Sequence, residues 1–204
     1  MQITVLRAPW PVVLKPGLLA LFAALSVGGG MLVATRRLQH TGHLWLTWQD
    51  AAAVGALTIA GLVLHETGHA VAARATGRLV ERLEFGLAGG AVTSGDTTPW
   101  RRAIAIATGP LLELAFGFTL LTAGGGTWAA LATPLGTAGL MAIINGAGNL
   151  LPVHPSLDGY RLLTFLRLAL TGNRRLNCVP EGPCPACTGN FPAQVLDEEQ
   201  VPAA

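Results

Sequence analysis

The sequence predicts an all-α membrane protein: about four transmembrane helices, a short β-hairpin between the second and third, and a surface helix toward the C-terminus. Three observations carry this reading. Of 204 residues, 51% are hydrophobic and only 12% are charged, whereas soluble domains carry about 25% charged residues. The mean hydropathy is +0.50. Four stretches are long and apolar enough to cross a hydrocarbon core, which takes about 20 residues of helix.

The first stretch, 17–35, carries no charge. It is longer than the roughly 7–15 apolar residues of a signal peptide, so it reads as an uncleaved helix. In the second, 51–73, the only ionisable residues are His65, Glu66 and His69. The third, 103–123, holds Glu113 alone, and the fourth, 128–151, holds none. Pro134 is expected to kink the fourth, and the glycines at 124–126 separate it from the third.

Between the second and third spans, Leu83, Phe85 and Leu87 alternate with polar or small residues, and Gly89-Gly90 offers a turn, which predicts a hairpin within 80–96. Residues 160–170 are apolar with arginines at 161 and 167, too short for a span and suited to a surface helix. Residues 1–171 thus form the membrane core. Residues 172–204, with Cys178, Cys184 and Cys187 among prolines, read as a disordered cytoplasmic tail. The odd, clustered cysteine count does not suit a disulfide framework.

Charge sets an orientation. Arg74, Arg78, Arg82, Arg101 and Arg102 crowd the loop after the second span, Arg161, Arg167, Arg174 and Arg175 follow the fourth, and Arg7 and Lys15 precede the first. By the positive-inside rule these regions are cytoplasmic, against the vote of Arg36 and Arg37. Trp45 and Trp48 suit an interfacial belt. The net charge of +2, without a basic stripe, excludes a nucleic-acid partner. The lipid bilayer is the expected environment, and the alanine- and glycine-rich composition fits a bacterial cell membrane.

The second span contains His65-Glu66-Thr67-Gly68-His69, the H-E-x-x-H pattern. Residues at i and i+4 share a helical face, with Cβ atoms about 5–6 Å apart, so both imidazoles reach one tetrahedral ion. Glu66 beside them can take a proton from water. Such a cluster is costly in lipid unless its members have partners. A zinc site also needs a third protein ligand, and the exit of the fourth span offers one in Asn149-Leu150-Leu151-Pro152-Val153-His154-Pro155-Ser156-Leu157-Asp158-Gly159. Asp158 is the first candidate and His154 the fallback. Glu113 is either a partner for a ligating histidine or bonded to backbone, and Asn145 is expected to bond to a neighbouring helix.

An intramembrane H-E-x-x-H followed by N-x-x-P and L-D-G resembles the site-2 protease family of intramembrane zinc metalloproteases, over residues 51–160. Thr108-Gly109-Pro110 resembles a Gly-Pro pair of that family. The resemblance implies one Zn2+ per chain held by His65, His69 and Asp158, with Glu66 catalytic and Asn149 engaging the substrate peptide. The hairpin would pair with an unwound membrane-protein substrate. One departure stands out: the family usually places four residues between the proline and Asp-Gly, and here Val153 to Leu157 makes five. The resemblance implies a multi-pass hydrolase acting on transmembrane or membrane-proximal segments, and the position of Arg74 five residues past His69 puts its expected site near the cytoplasmic face. The alternatives are a catalytically inactive relative that binds or regulates membrane proteins, and a metal carrier, which would need ligands spread along a pathway. Neither a substrate nor an oligomeric state can be read from the sequence.

Overall fold

The computed structural model describes residues 3–6, 10–45, 47–85, 90–94, 97–126 and 128–171. In chain order it contains β1 (Ile3–Leu6), β2 (Val12–Leu14), α1 (Gly17–Thr41), α2 (Trp48–Ala75), β3 (Leu79–Phe85), β4 (Gly90–Ser94), α3 (Pro99–Ala123), a 3-10 turn (Trp128–Ala132), α4 (Pro134–Asn149) and α5 (Asp158–Leu170). The thiols Cys178, Cys184 and Cys187, and the tail as a whole, lie outside the described residues.

Among the described residues three helices, α1, α2 and α3, are long and apolar enough to cross a membrane, and the fold is that of a mostly helical membrane protein. Their ends are capped as their sequences allow. Thr47 and Thr98 accept hydrogen bonds from the backbone N–H groups of Asp50 and Arg101. Gly42, at φ 72°, closes α1 in the left-handed conformation that favours glycine.

The fourth predicted span is corrected. It is not one kinked helix but a 3-10 turn followed by a 16-residue helix. Thr133 caps α4 and Pro134 occupies its first turn, where the missing N–H costs nothing and the fixed φ suits the helix. Pro134 therefore starts a helix instead of bending one. At about 1.5 Å per residue α4 is about 24 Å long, shorter than the roughly 30 Å hydrocarbon core.

The helices pack where small residues let backbones approach. A Cβ at Gly29 would collide with the Val54 side chain, joining α1 to α2. A Cβ at Gly68 would lie 3.1 Å from the Gly109 Cα, joining α2 to α3, and one at Gly117 would lie 2.8 Å from the Gly139 carbonyl oxygen, joining α3 to α4. Lipid is as apolar as leucine, so association inside a membrane depends on such close packing. Val33, Val54, Leu120 and Ala138 form the buried centre of the bundle.

The expected hairpin is present as β3 and β4, paired antiparallel, but it belongs to a larger sheet of order β1-β2-β3-β4. β2 runs parallel to β3, matching Val12 with Leu83 and Leu14 with Phe85. Leu83 and Phe85 are buried with Ala70 of α2, against Trp10, Val12, Leu14 and Leu18, so the sheet is seated on the end of the bundle where α2 finishes. On its other face Lys15 Nζ and Arg82 Nε donate to the Glu84 carboxylate. The Lys15 ammonium, with Arg82 second, holds that carboxyl below its ordinary range. The predicted surface helix is α5, which lies along α3 with Phe165 buried beside Ala103 and the Arg102 guanidinium 5.1 Å from the Phe165 ring centre.

Candidate metal centre

His65 and His69 lie one turn apart on α2, with ring centres 4.7 Å apart and ring planes at 83°. Each ring has a second partner that decides which nitrogen carries hydrogen. His69 Nδ1 lies 2.9 Å from the Ala105 carbonyl oxygen. A carbonyl can only accept, so Nδ1 donates, and in the neutral ring Nε2 keeps its lone pair. The carbonyl belongs to α3 five residues before Pro110, the proline inside that helix. Gly109 gives the ring its room: a Cβ there would strike the His69 imidazole. Gly109 therefore shapes the wall that His69 faces.

His65 is buried, and its Nδ1 lies 2.9 Å from Glu113 Oε2. Glu113 is wholly buried. Asn145 Nδ2 on α4 donates to both of its oxygens, at 2.9 and 3.0 Å. Surrounded by donors, the carboxylate accepts the Nδ1 hydrogen of His65, which in the neutral ring leaves Nε2 as an acceptor as well. Asn145 thus bonds to a neighbouring helix as expected, and of the two alternatives for Glu113 the histidine contact is the one present.

Asp158 opens α5. Its Oδ2 lies 3.1 Å from His65 Nε2 and 3.2 Å from His69 Nε2, and the two Nε2 atoms are 3.1 Å apart. The longer loop before Asp158 is absorbed by turns between 152 and 156. Gly159 is required there for steric reasons, not for an unusual φ, because a Cβ would collide with the Leu150 carbonyl. His154 stays exposed, its Nδ1 accepting from the Ser156 N–H at 3.2 Å, and it is not part of the cluster. Glu66 is half-buried beside the two imidazoles and close enough to both, and to Asp158, to interact electrostatically with them. Asn149 is the last residue of α4, also half-buried.

With both imidazoles neutral, these three atoms are all acceptors, and acceptors converging at about 3 Å repel one another unless a proton or a metal cation sits among them. The residues present fit such an ion. A tetrahedral ion with bonds of about 2.0–2.1 Å sets its ligand atoms about 3.3 Å apart, close to the separations here. His65, His69 and Asp158 could hold a metal ion, and the second ring nitrogen of each histidine is already occupied, as metal-ligating histidines require.

The fold and the donor cluster together define a class: a helical membrane protein with a two-histidine, one-carboxylate metal-type site between its helices. The chain is similar in structure to the site-2 protease from Methanocaldococcus jannaschii, with a TM-score of 0.54 and 22% sequence identity. The match covers 83% of this chain and 73% of that one. It establishes the shared fold. No protein-family model matches the sequence, and no curated protein does.

Proposed function

We propose that this chain is an intramembrane zinc metalloprotease of the site-2 kind, hydrolysing peptide bonds in transmembrane or membrane-proximal segments of other membrane proteins. The observation that carries the reading is the convergence of His65 Nε2, His69 Nε2 and Asp158 Oδ2 at 3.1–3.2 Å, from an H-E-x-x-H helix and an L-D-G turn. The shared fold supports it.

Zinc in that cluster would polarise a peptide carbonyl and make water more acidic. The rest of the chemistry belongs to the chain. Glu66 takes the proton of the attacking water and returns it to the leaving amine, the task of a general base that becomes a general acid. Asn149, at the mouth of the cluster's loop, bonds to the backbone of the extended substrate. β4, the outer strand of the sheet, adds main-chain pairing. A substrate helix must unwind first, because its carbonyls are otherwise engaged in its own hydrogen bonds.

The placement in the bilayer follows from charge. The sheet end of the bundle carries Lys15, Arg74, Arg78, Arg82, Arg101, Arg102, Arg161 and Arg167, and the opposite end Arg36 and Arg37. Arg37 is committed to an ion pair with Asp50. The positive-inside rule therefore sets the sheet in the cytoplasm. His69 is about 9 Å from the end of α2 on that side, deep enough to be enclosed and near enough for water to enter.

The test is metal content and cleavage together. The protein is purified in detergent with Cys178, Cys184 and Cys187 changed to serine, so that tail thiols contribute no sites. About one zinc per chain is expected, lost in Asp158→Ala, together with zinc-dependent cleavage of transmembrane model peptides. No zinc in the unsubstituted site would overturn the proposal. Zinc without hydrolysis, across a peptide panel, would convert it to an inactive relative that binds membrane proteins.

A further inference from the structure

The hydrolytic scheme above makes no use of the most deeply buried ionisable group in the described bundle. Glu113 has no exposed surface, and it spans two neighbours on different helices: His65 Nδ1 on α2 at 2.9 Å, and Asn145 Nδ2 on α4 at 2.9 and 3.0 Å. A buried carboxylate is costly and persists only where it is fully hydrogen-bonded. Its neighbours meet that condition. The two Asn145 contacts fix the plane of the carboxylate, and that plane presents Oε2 to His65.

We propose that Glu113, aligned by Asn145, is a positioning residue: it locks His65 in the tautomer and ring orientation that aim Nε2 at the metal cluster. The inference rests on the metal reading of the cluster. Its physical basis is the difference between the two histidines. His69 is oriented by a backbone carbonyl of α3, which no side-chain substitution removes. His65 is oriented by a side chain, which in turn is oriented by another side chain. The His65 arm of the site can therefore be loosened by substitutions that touch neither ligand nor substrate, and the pair ties α2, α3 and α4 together at the level of the ion.

The contact is specific in length and in acceptor character, which allows a graded test. Glu113→Gln keeps an oxygen within reach of Nδ1. Glu113→Asp keeps the carboxylate but draws it back by one methylene. Glu113→Leu removes the acceptor, and Asn145→Ala removes the alignment while leaving the carboxylate. Zinc affinity is measured on the full chain, cysteines replaced by serine as above, by competition with a chromogenic chelator. Cobalt is substituted for zinc to read the ligand field by visible absorption, and the melting temperature of the metal-free protein is recorded in parallel.

Loss of an orienting partner lowers metal affinity on the order of 10–100-fold, and this loss is expected for Glu113→Leu. Glu113→Asp should fall nearly as far, Asn145→Ala less, and Glu113→Gln least, with a shifted cobalt spectrum in the first two. If Glu113→Leu does not fold, the order among the other three decides. Affinities and cobalt spectra that match the unsubstituted protein in Glu113→Asp and Asn145→Ala would overturn the proposal, as would losses that follow the metal-free melting temperature instead of this order. Failure of the underlying reading looks different: the unsubstituted protein itself would bind no zinc, or would bind it as tightly with Asp158→Ala.

Discussion

Among the described residues, two polar clusters of this apolar bundle are built on opposite principles. At the end away from the sheet, Arg37 donates from two nitrogens to the Asp50 carboxylate, at 2.6 and 3.1 Å, and from Nε to the Ala132 carbonyl at 3.1 Å. Thr47 adds a hydroxyl donor to Asp50 at 2.7 Å, and the guanidinium lies 4.4 Å from the Trp45 ring centre. Donors and acceptors match, so the cluster is complete as it stands and serves to pin α1, α2 and the 3-10 turn. Near the sheet, His65, His69 and Asp158 turn Nε2, Nε2 and Oδ2 toward one point, and with neutral imidazoles these are three acceptors without a donor. A polar cluster that satisfies itself reads as structure, and one that leaves lone pairs facing each other reads as a place for a cation.

The contrast can be broken by experiment, and the largest effect is expected in the unsatisfied cluster. Glu66→Gln should lower peptide cleavage by about 10²–10⁴-fold, the usual contribution of a general acid-base group, while zinc content stays the same. Unchanged cleavage would remove Glu66 from the chemistry. Next comes metal removal. An ion present at 100 times its dissociation constant stabilises the folded state by about 2.7 kcal/mol, so a chelator should depress the melting temperature. A chain indifferent to chelation would show that the acceptor cluster is as self-sufficient as the other one.

The complete cluster should respond in the reverse way. Arg37→Met strands Asp50, whose side chain is only 16% exposed. Loss of hydrogen bonds to a charged group should cost about 1–3 kcal/mol, with no change in zinc affinity. The smallest effect belongs to the sheet. Glu84 has a lowered folded-state pKa because of Lys15 and Arg82, so its contribution is present above its ordinary value near 4.5 and is lost as the pH falls through the lowered value. It amounts to less than about 1 kcal/mol, as for surface ion pairs generally. Melting curves of Glu84→Gln and the parent should differ near neutrality and converge in acid.

Much of this could be read from the residues, and what could not has a physical reason. The long helices are visible because lipid demands runs of apolar residues, and the metal-type cluster because its ligand chemistry fixes a local spacing. The hairpin showed in the alternation of Leu83 and Phe85. β1 and β2 did not, since four and three residues among prolines carry no local signal and exist through pairing with β3, far along the chain. The break in the fourth span was missed although Thr133-Pro134 is a helix-start signature, because the apolar run hid it. The partners of Glu113 are 48 and 32 residues away, and no spacing rule connects them.

The parallel pairing of β2 with β3 has a consequence for how the protein is made. Leu14 and Phe85 are matched partners, yet α1 and α2 lie between them in the chain. Both strands can meet only after the helical pair has gone out through the bilayer and come back. A nascent chain in which α1 failed to insert while α2 crossed would leave β2 and β3 on opposite sides of the membrane with their facing edges unpaired. The sheet is thus assembled late, and its closure records that the first two helices have been threaded correctly.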